Sequence, residues 1–380
     1  MTTQSMSTIY AHAARLRRQL ARVEPSKRAP LLDEIAALDK QASTAAERST
    51  PGAPGATNDY EHKLGLATTG LDATVTLRMP EIATAVAHFV DHPLVTVKVE
   101  ANREARVALS AWIESFSGRA TSTIELKRHA PKTVDLCPTF FPEPLSRVTE
   151  MTRAALHVEV LDLDSSKVER HETFRVWLLP RTSACLSSRD PSSGAVIDWT
   201  PQLAAFVTPN APAVLDVLRE ASDLLNAKQF VSYQEDAPAV EAQVKAIFDV
   251  LHQRGIRYIN STFTSMKGGT TLFQRIRTPS ESLRTRAANC IDGAVLMASL
   301  LETASLEPGI VLVPGHAFLA WRQTEGGAWD YVETTLIDGG DFLAARDVAR
   351  DDVAARKALD RSARVLDVRA MRDQGIVPME

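Results

Sequence analysis

The stretch 289-NCIDGAVLMASLLETASLEPGIVLVPGHAFLAWRQTEGGAWDYVETTLI-337 decides how this chain is read. Its opening, NCIDGAVLMASLLETA (289–304), is apolar nearly all round, which predicts a helix buried on every side. GIVLVP (309–314) and HAFLAWRQ (316–323) follow as apolar runs of strand length, and WDYVETTLI (329–337) follows the Gly326-Gly327 turn as a third strand. A central buried helix with antiparallel strands packed against it is an α+β layer arrangement.

Upstream, PNAPAVLDVLREASDLLN (209–226) and DAPAVEAQVKAIFDVLHQRG (236–255) predict amphipathic helices, each opened near a proline, with Gly255 as the stop of the second. Between residues 73 and 181 the period changes to two. TVTLRM (74–79), VTVKVE (95–100), ARVALSAWI (105–113), STIELK (122–127), ALHVEVLDL (155–163) and ETFRVWLLP (172–180) alternate apolar with polar residues. Only PEIATAVAHFVDH (80–92) interrupts, with a short helical pattern. Strands so spaced predict a β-sandwich of immunoglobulin-like type. The first fifty residues predict two helices, broken at Glu24-Pro25-Ser26, and RSTPGAPGATN (48–58) reads as a linker. The expected fold class is therefore multidomain α+β: a helical hairpin (1–47), the linker (48–58), a β-sandwich domain (59–182) and a C-terminal α+β domain (183–380).

Composition narrows the function classes. With 43 basic against 47 acidic residues, no basic excess exists to neutralise phosphates, so a nucleic-acid partner is not expected. No run of 18 apolar residues predicts a membrane span, and MTTQSMSTIYAHAARLRRQL lacks the apolar segment of a secretory signal. Cys137, Cys185 and Cys290 make no disulfide framework and no CxxC pair, so the expected setting is cytoplasmic, without metal or cofactor.

Cys290 opens the most apolar helix. A thiol there meets the positive end of the helix macrodipole, which favours a nucleophile, although a cysteine in an apolar helix is more often a small core residue. His316 begins the second strand after that helix, and Glu333 lies on the next. An antiparallel pair of those strands would set His316 opposite Glu333, giving a nucleophile, a base and an orienting carboxylate. Asp292 reads first as a complement to the helix dipole. The Cys290 N–H is the natural first oxyanion donor, with Gln274 as a candidate second and Asn260 and Asn289 as rivals. His88 and His92 share a helical spacing but lack a third ligand, and Lys267-Gly268-Gly269-Thr270-Thr271 lacks the order of a phosphate-binding loop. Cys137 and Cys185 are expected to be buried structural thiols.

These residues resemble the transglutaminase-like cysteine peptidase superfamily, over about residues 279–337. Cys290-Ile291-Asp292-Gly293-Ala294 matches its Cys-x-Asp helix start. Gly315-His316-Ala317 matches its histidine motif, and Trp329 stands four residues before the acid, here Glu333 where the family commonly has Asp. The closing segment VLDVRAMRDQGIVPM (365–379) is also similar to the end of bacterial members. The resemblance implies a papain-like core with a Cys290–His316–Glu333 triad, in which Glu333 reaches the imidazole Nδ1. The expected function is a cysteine peptidase acting on a protein or peptide through a thioester. A transglutaminase or deamidase using the same triad is the first alternative, and a non-catalytic interaction protein on a retained scaffold is the second. The N-terminal helices or the sandwich would carry any regulatory protein partner.

Overall fold

The computed structural model describes residues 6–49, 61–64, 70–87, 93–190, 194–226, 228–259, 263–265, 271–358 and 363–379. It is a mixed α+β structure of two compact units. One gathers residues 1–49, 201–263 and 274–380, and the other residues 50–200 and 264–273. Among the described residues, no helix is long and apolar enough to cross a membrane.

In the second unit, period-two alternation becomes two sheets. A four-stranded antiparallel sheet runs in the order Glu61–Leu64, Leu71–Leu77, Val95–Ala101, Lys132–Leu136. A five-stranded sheet runs Glu81–Ala83, Lys167–Leu179, Thr152–Asp162, Ala105–Ile113, Ala120–Leu126. Val75, Val97 and Val99 of the first and Leu109, Val158 and Val176 of the second belong to one buried cluster. Two sheets sharing a core make a sandwich, since every second side chain of each strand must leave water. The helical pattern expected from residue 80 is not what forms there. Glu81–Ala83 is a strand paired in parallel with Trp177–Leu179, because a free sheet edge outweighs a weak local helix preference. Residues 88–92, with both histidines of that pattern, lie outside the described residues, as do 50–58 of the expected linker.

In the first unit, an antiparallel sheet runs Trp329–Val332, His316–Arg322, Pro308–Val313, Arg364–Asp367. Its faces alternate. Val311, Val313, Phe318 and Ala320 pack with Ala349 of the helix Phe342–Ala358, so Ile310 and Leu319 point to the opposite side. The helix Cys290–Thr303 packs on the two central strands, and Pro212–Asp223, Ala237–Gln253 and Pro279–Thr285 pack on it in turn. Ile291 to Leu301 are all buried, as a helix apolar all round requires. Ser299, polar within that helix, is satisfied: its hydroxyl donates to Val295 O at 2.8 Å and accepts the Thr208 N–H at 2.9 Å.

The hairpin is not a domain of its own. Helices Met6–Leu20 and Ala29–Ser49 belong with residues 201–263 and 274–380, the first touching the turn Thr334–Leu336 and the second the helix Phe342–Ala358. The reason is charge placed on an apolar stripe. Arg17 sits among buried Ala13, Leu16 and Leu20, and Asp39 beside buried Ile35 and Leu38. Such groups leave water only with partners, and Asp39 takes both Arg17 and Arg356, the latter 317 residues away. The other boundary also moves. Ser183–Arg189 pairs with Val196–Asp198 in the sandwich unit, so that unit runs on to residue 200.

Candidate active site

Asn289 and Asp292 define where the helix headed by Cys290 begins. The Asn289 side chain accepts the Asp292 N–H at 2.9 Å, and the Asp292 carboxylate accepts the Asn289 N–H at 3.0 Å, a closed capping box. Asp292 also accepts the Arg277 N–H and guanidinium, both at 2.8 Å, so it is fully occupied in structure. Cys290 is thereby the first helical residue, half-buried, while everything after it in that helix down to Leu301 is buried. The cap leaves one loose end. Asn289 Nδ2 is buried with no hydrogen-bond partner among the described residues.

His316 is delivered by a tight hairpin. Val313 pairs with His316, and Gly315 between them takes a φ of +73°, which glycine adopts without strain. The ring's Nε2 lies 2.7 Å from Glu333 Oε2, and Cys290 acts on the same ring. The carboxylate thus takes Nε2, not the Nδ1 expected from sequence. Nor does Glu333 lie on a strand opposite His316. The strand ends at Val332, paired with Leu319, and Glu333 caps the 3-10 turn Thr334–Leu336. Its Oε1 accepts the Thr335 N–H at 3.0 Å and hydroxyl at 2.8 Å, which leaves Oε2 for the imidazole. That bend brings the carboxylate to the ring.

Both side chains are buried, at 3% and 2% exposure. Burial and the nearby Arg17 disfavour a charged imidazole. The Glu333 charge and the hydrogen bonds to Cys290 and Glu333 outweigh them, and His316 is raised to about 9. For Glu333 burial acts upward, but His316, Arg17 and the Thr335 N–H bring it down to about 2. The two shifts run in opposite directions, and both favour the charged pair.

Two further elements reach the site, and sequence reading missed both. Arg17, 2% exposed, donates to Asp39 from the first hairpin helix. Tyr258 lies on a two-residue strand parallel to Ala287-Ala288, which puts it alongside the residues that precede Cys290. Burial, followed by the charges of Cys290 and Glu333, pushes its hydroxyl upward, so it is a neutral donor. Arg18 lies over its ring at 5.0 Å. A charged residue on an apolar helical stripe was the available signal for Arg17. Nothing in the local sequence marks Tyr258.

The remaining candidates separate. Gln274 is buried on Thr271–Arg275 and has no hydrogen bond to Cys290, His316 or Glu333 among the described residues. Asn260 and residues 267–270 lie outside the described residues. Cys185 is buried, and burial pushes its thiol well above the usual range. Cys137 is exposed, not buried as expected, because it follows the strand Lys132–Leu136 one residue past inward-facing Leu136. The chain matches no protein-family model and no curated protein.

Proposed function

We propose that this chain is a cysteine peptidase that acts on a protein substrate through a thioester, with Cys290, His316 and Glu333 as its triad. One observation carries the reading. A buried imidazole is held by a carboxylate on one nitrogen, and a helix-leading thiol acts on the same ring. In this reading the unit that holds the triad resembles the transglutaminase-like, papain-like core. The sandwich is of immunoglobulin-like type and presents substrate or partner surfaces.

His316, as the imidazolium of its pair with Glu333, already holds the proton that the thiol gives up, and the Cys290 sulfur attacks the substrate carbonyl carbon as its thiolate partner. Negative charge then develops on the carbonyl oxygen, where N–H donors are needed. The Cys290 N–H, at the first helical position, is one donor. The buried amides of Gln274 and Asn289 are candidates for the second, the Asn289 Nδ2 being unpaired among the described residues. His316 returns the proton to the leaving amine, and the C–N bond breaks to give the thioester. Water, deprotonated by His316, then hydrolyses the thioester and restores the thiol. Glu333 fixes the ring and balances the imidazolium throughout.

N-terminal profiling of a host proteome with the full chain, beside Cys290→Ala, tests this. New N-termini that depend on Cys290 are the expected result. Incorporation of an added amine, or ammonia release from glutamine, without new N-termini would move the assignment to a transglutaminase or a deamidase. No Cys290-dependent change of any kind would leave an interaction protein.

A further inference from the structure

Glu333 is in contact with more than the imidazole. From its backbone the N–H donates to Ala345 O at 3.1 Å, on the helix Phe342–Ala358. The turn it caps is touched by the first hairpin helix, which carries Arg17. Arg17 Nη2 donates to the two Asp39 oxygens at 3.1 and 3.3 Å. Asp39 also accepts from Arg356, whose Nε donates to both Asp352 oxygens at 3.1 and 3.2 Å. Arg17 Nε–H is buried with no hydrogen-bond partner among the described residues. The hydrogen-bonded line is thus Arg17, Asp39, Arg356, Asp352, and its Arg17 end acts on Glu333 and His316 where the first hairpin helix meets the turn. The line crosses both hairpin helices and the helix Phe342–Ala358. Arg28, accepted by Asp351 at 2.6 Å, ties the hairpin to that helix a second time.

Stability alone is a poor reason for such a line. Well-packed apolar side chains of similar volume usually serve a buried site as well as an ion pair does, so a retained charged network points to a task for the charges. Here the charge next to the acid is supplied from residue 17. We propose that Arg17 is a positioning residue of the triad: the N-terminal hairpin docks a buried guanidinium against Glu333, and through Glu333 fixes the imidazole of His316. The hairpin is then a component of the site and not an appendage to it.

This rests on the triad reading, but its readout does not. The groups acting on His316 are Glu333 from the turn, Cys290 from its helix and Arg17 from the hairpin, with Tyr258 near Cys290, Arg18 over the Tyr258 ring, and Asp39, Arg356 and Asp352 behind Arg17. Arg17 acts against the imidazolium. Its removal should therefore raise the pH at which His316 titrates.

The experiment is NMR titration of ring-labelled histidine in the full chain, with Cys290 labelling by a thiol-directed peptidase probe run in parallel. Arg17→Gln should move the His316 midpoint up by on the order of one pH unit and slow labelling roughly tenfold or more. Arg17→Lys should restore the midpoint and part of the rate. Asp352→Asn removes a negative charge from the far end of the line and should move the midpoint down. A folded Arg17→Gln chain with unchanged midpoint and rate overturns the proposal. Should that variant not fold, an unmoved midpoint in Asp352→Asn overturns it instead. A shifted midpoint in a chain whose Cys290 never labels would sink the peptidase reading while leaving Arg17 in its place.

Discussion

At Glu333 the two carboxylate oxygens have separate tasks, one on the turn and one on the imidazole. That division predicts a graded series. Glu333→Gln keeps the shape but loses the charge that balances imidazolium, so turnover should fall by a factor on the order of ten to a thousand. Glu333→Asp should fall between that variant and wild type, because the shorter side chain has to cap the turn and reach Nε2 at once. Steady-state rates of the three proteins check the order. The same ion pair sets a pH window for stability. His316 is raised from 6.5 to about 9, so its contribution is complete below 6.5 and is lost as pH rises through about 9. Glu333 is lowered from 4.5 to about 2, so its contribution is complete above 4.5 and is lost as pH falls through about 2. The Tm difference between wild type and Glu333→Gln should therefore be widest between roughly pH 4.5 and 6.5 and shrink on both sides. A difference that is flat with pH would mean the pair is not ionic.

Between elements, the helix headed by Cys290 and the turn Thr334–Leu336 pack closely at Gly293. A Cβ there would lie 3.1 Å from Thr334 Cβ and Oγ1, and Thr334 Oγ1 donates to Cys290 O at 3.3 Å. Gly293→Ala gains about 1 kcal/mol of helix propensity but overpacks by about 1–3 kcal/mol, so stability should change little. The Thr334 turn must move, however, and Glu333 is its cap. Cys290 labelling should slow severalfold in that variant while its Tm stays within a few degrees, a pairing that thermal melts and probe kinetics would check together. The elements of this region were legible because each announces itself locally: an all-apolar helix opened by Cys290, apolar runs of strand length on either side of Gly315, and Trp329 ahead of Glu333. The site's other parts were not, because their partners are remote in sequence. Asp39 and Arg356 lie 317 residues apart, and on a helix read alone a charge counts as solvated. The strand end at Val332 was missed for a related reason: alternation in WDYVETT continues past the point where Glu333 turns to cap the chain.

For the molecule, the unit that carries Cys290, His316 and Glu333 is assembled from both ends of the chain. The domain bounds expected from sequence leave the hairpin outside 183–380, whereas residues 1–49 belong to that unit. A chain that starts at residue 50 leaves Arg356 and Asp352 without Asp39 and Arg17. Losing one side of a buried charge set costs about 3–5 kcal/mol, or on the order of ten degrees in Tm. Calorimetry should show that loss in one transition only, with the sandwich unit melting as before. Equal melting of both chains would show that the hairpin adds nothing. The most direct test of the central claim concerns one thiol. Labelling of Cys290 by a thiol-directed peptidase probe is to be followed against pH in wild type and His316→Ala, with exposed Cys137 as the internal reference. The account predicts that Cys290 labels far faster than Cys137 through the neutral range, slows as pH passes about 9, and drops to or below the Cys137 rate in His316→Ala. A Cys290 that labels no faster than Cys137 in wild type, or as fast without His316 as with it, would contradict it.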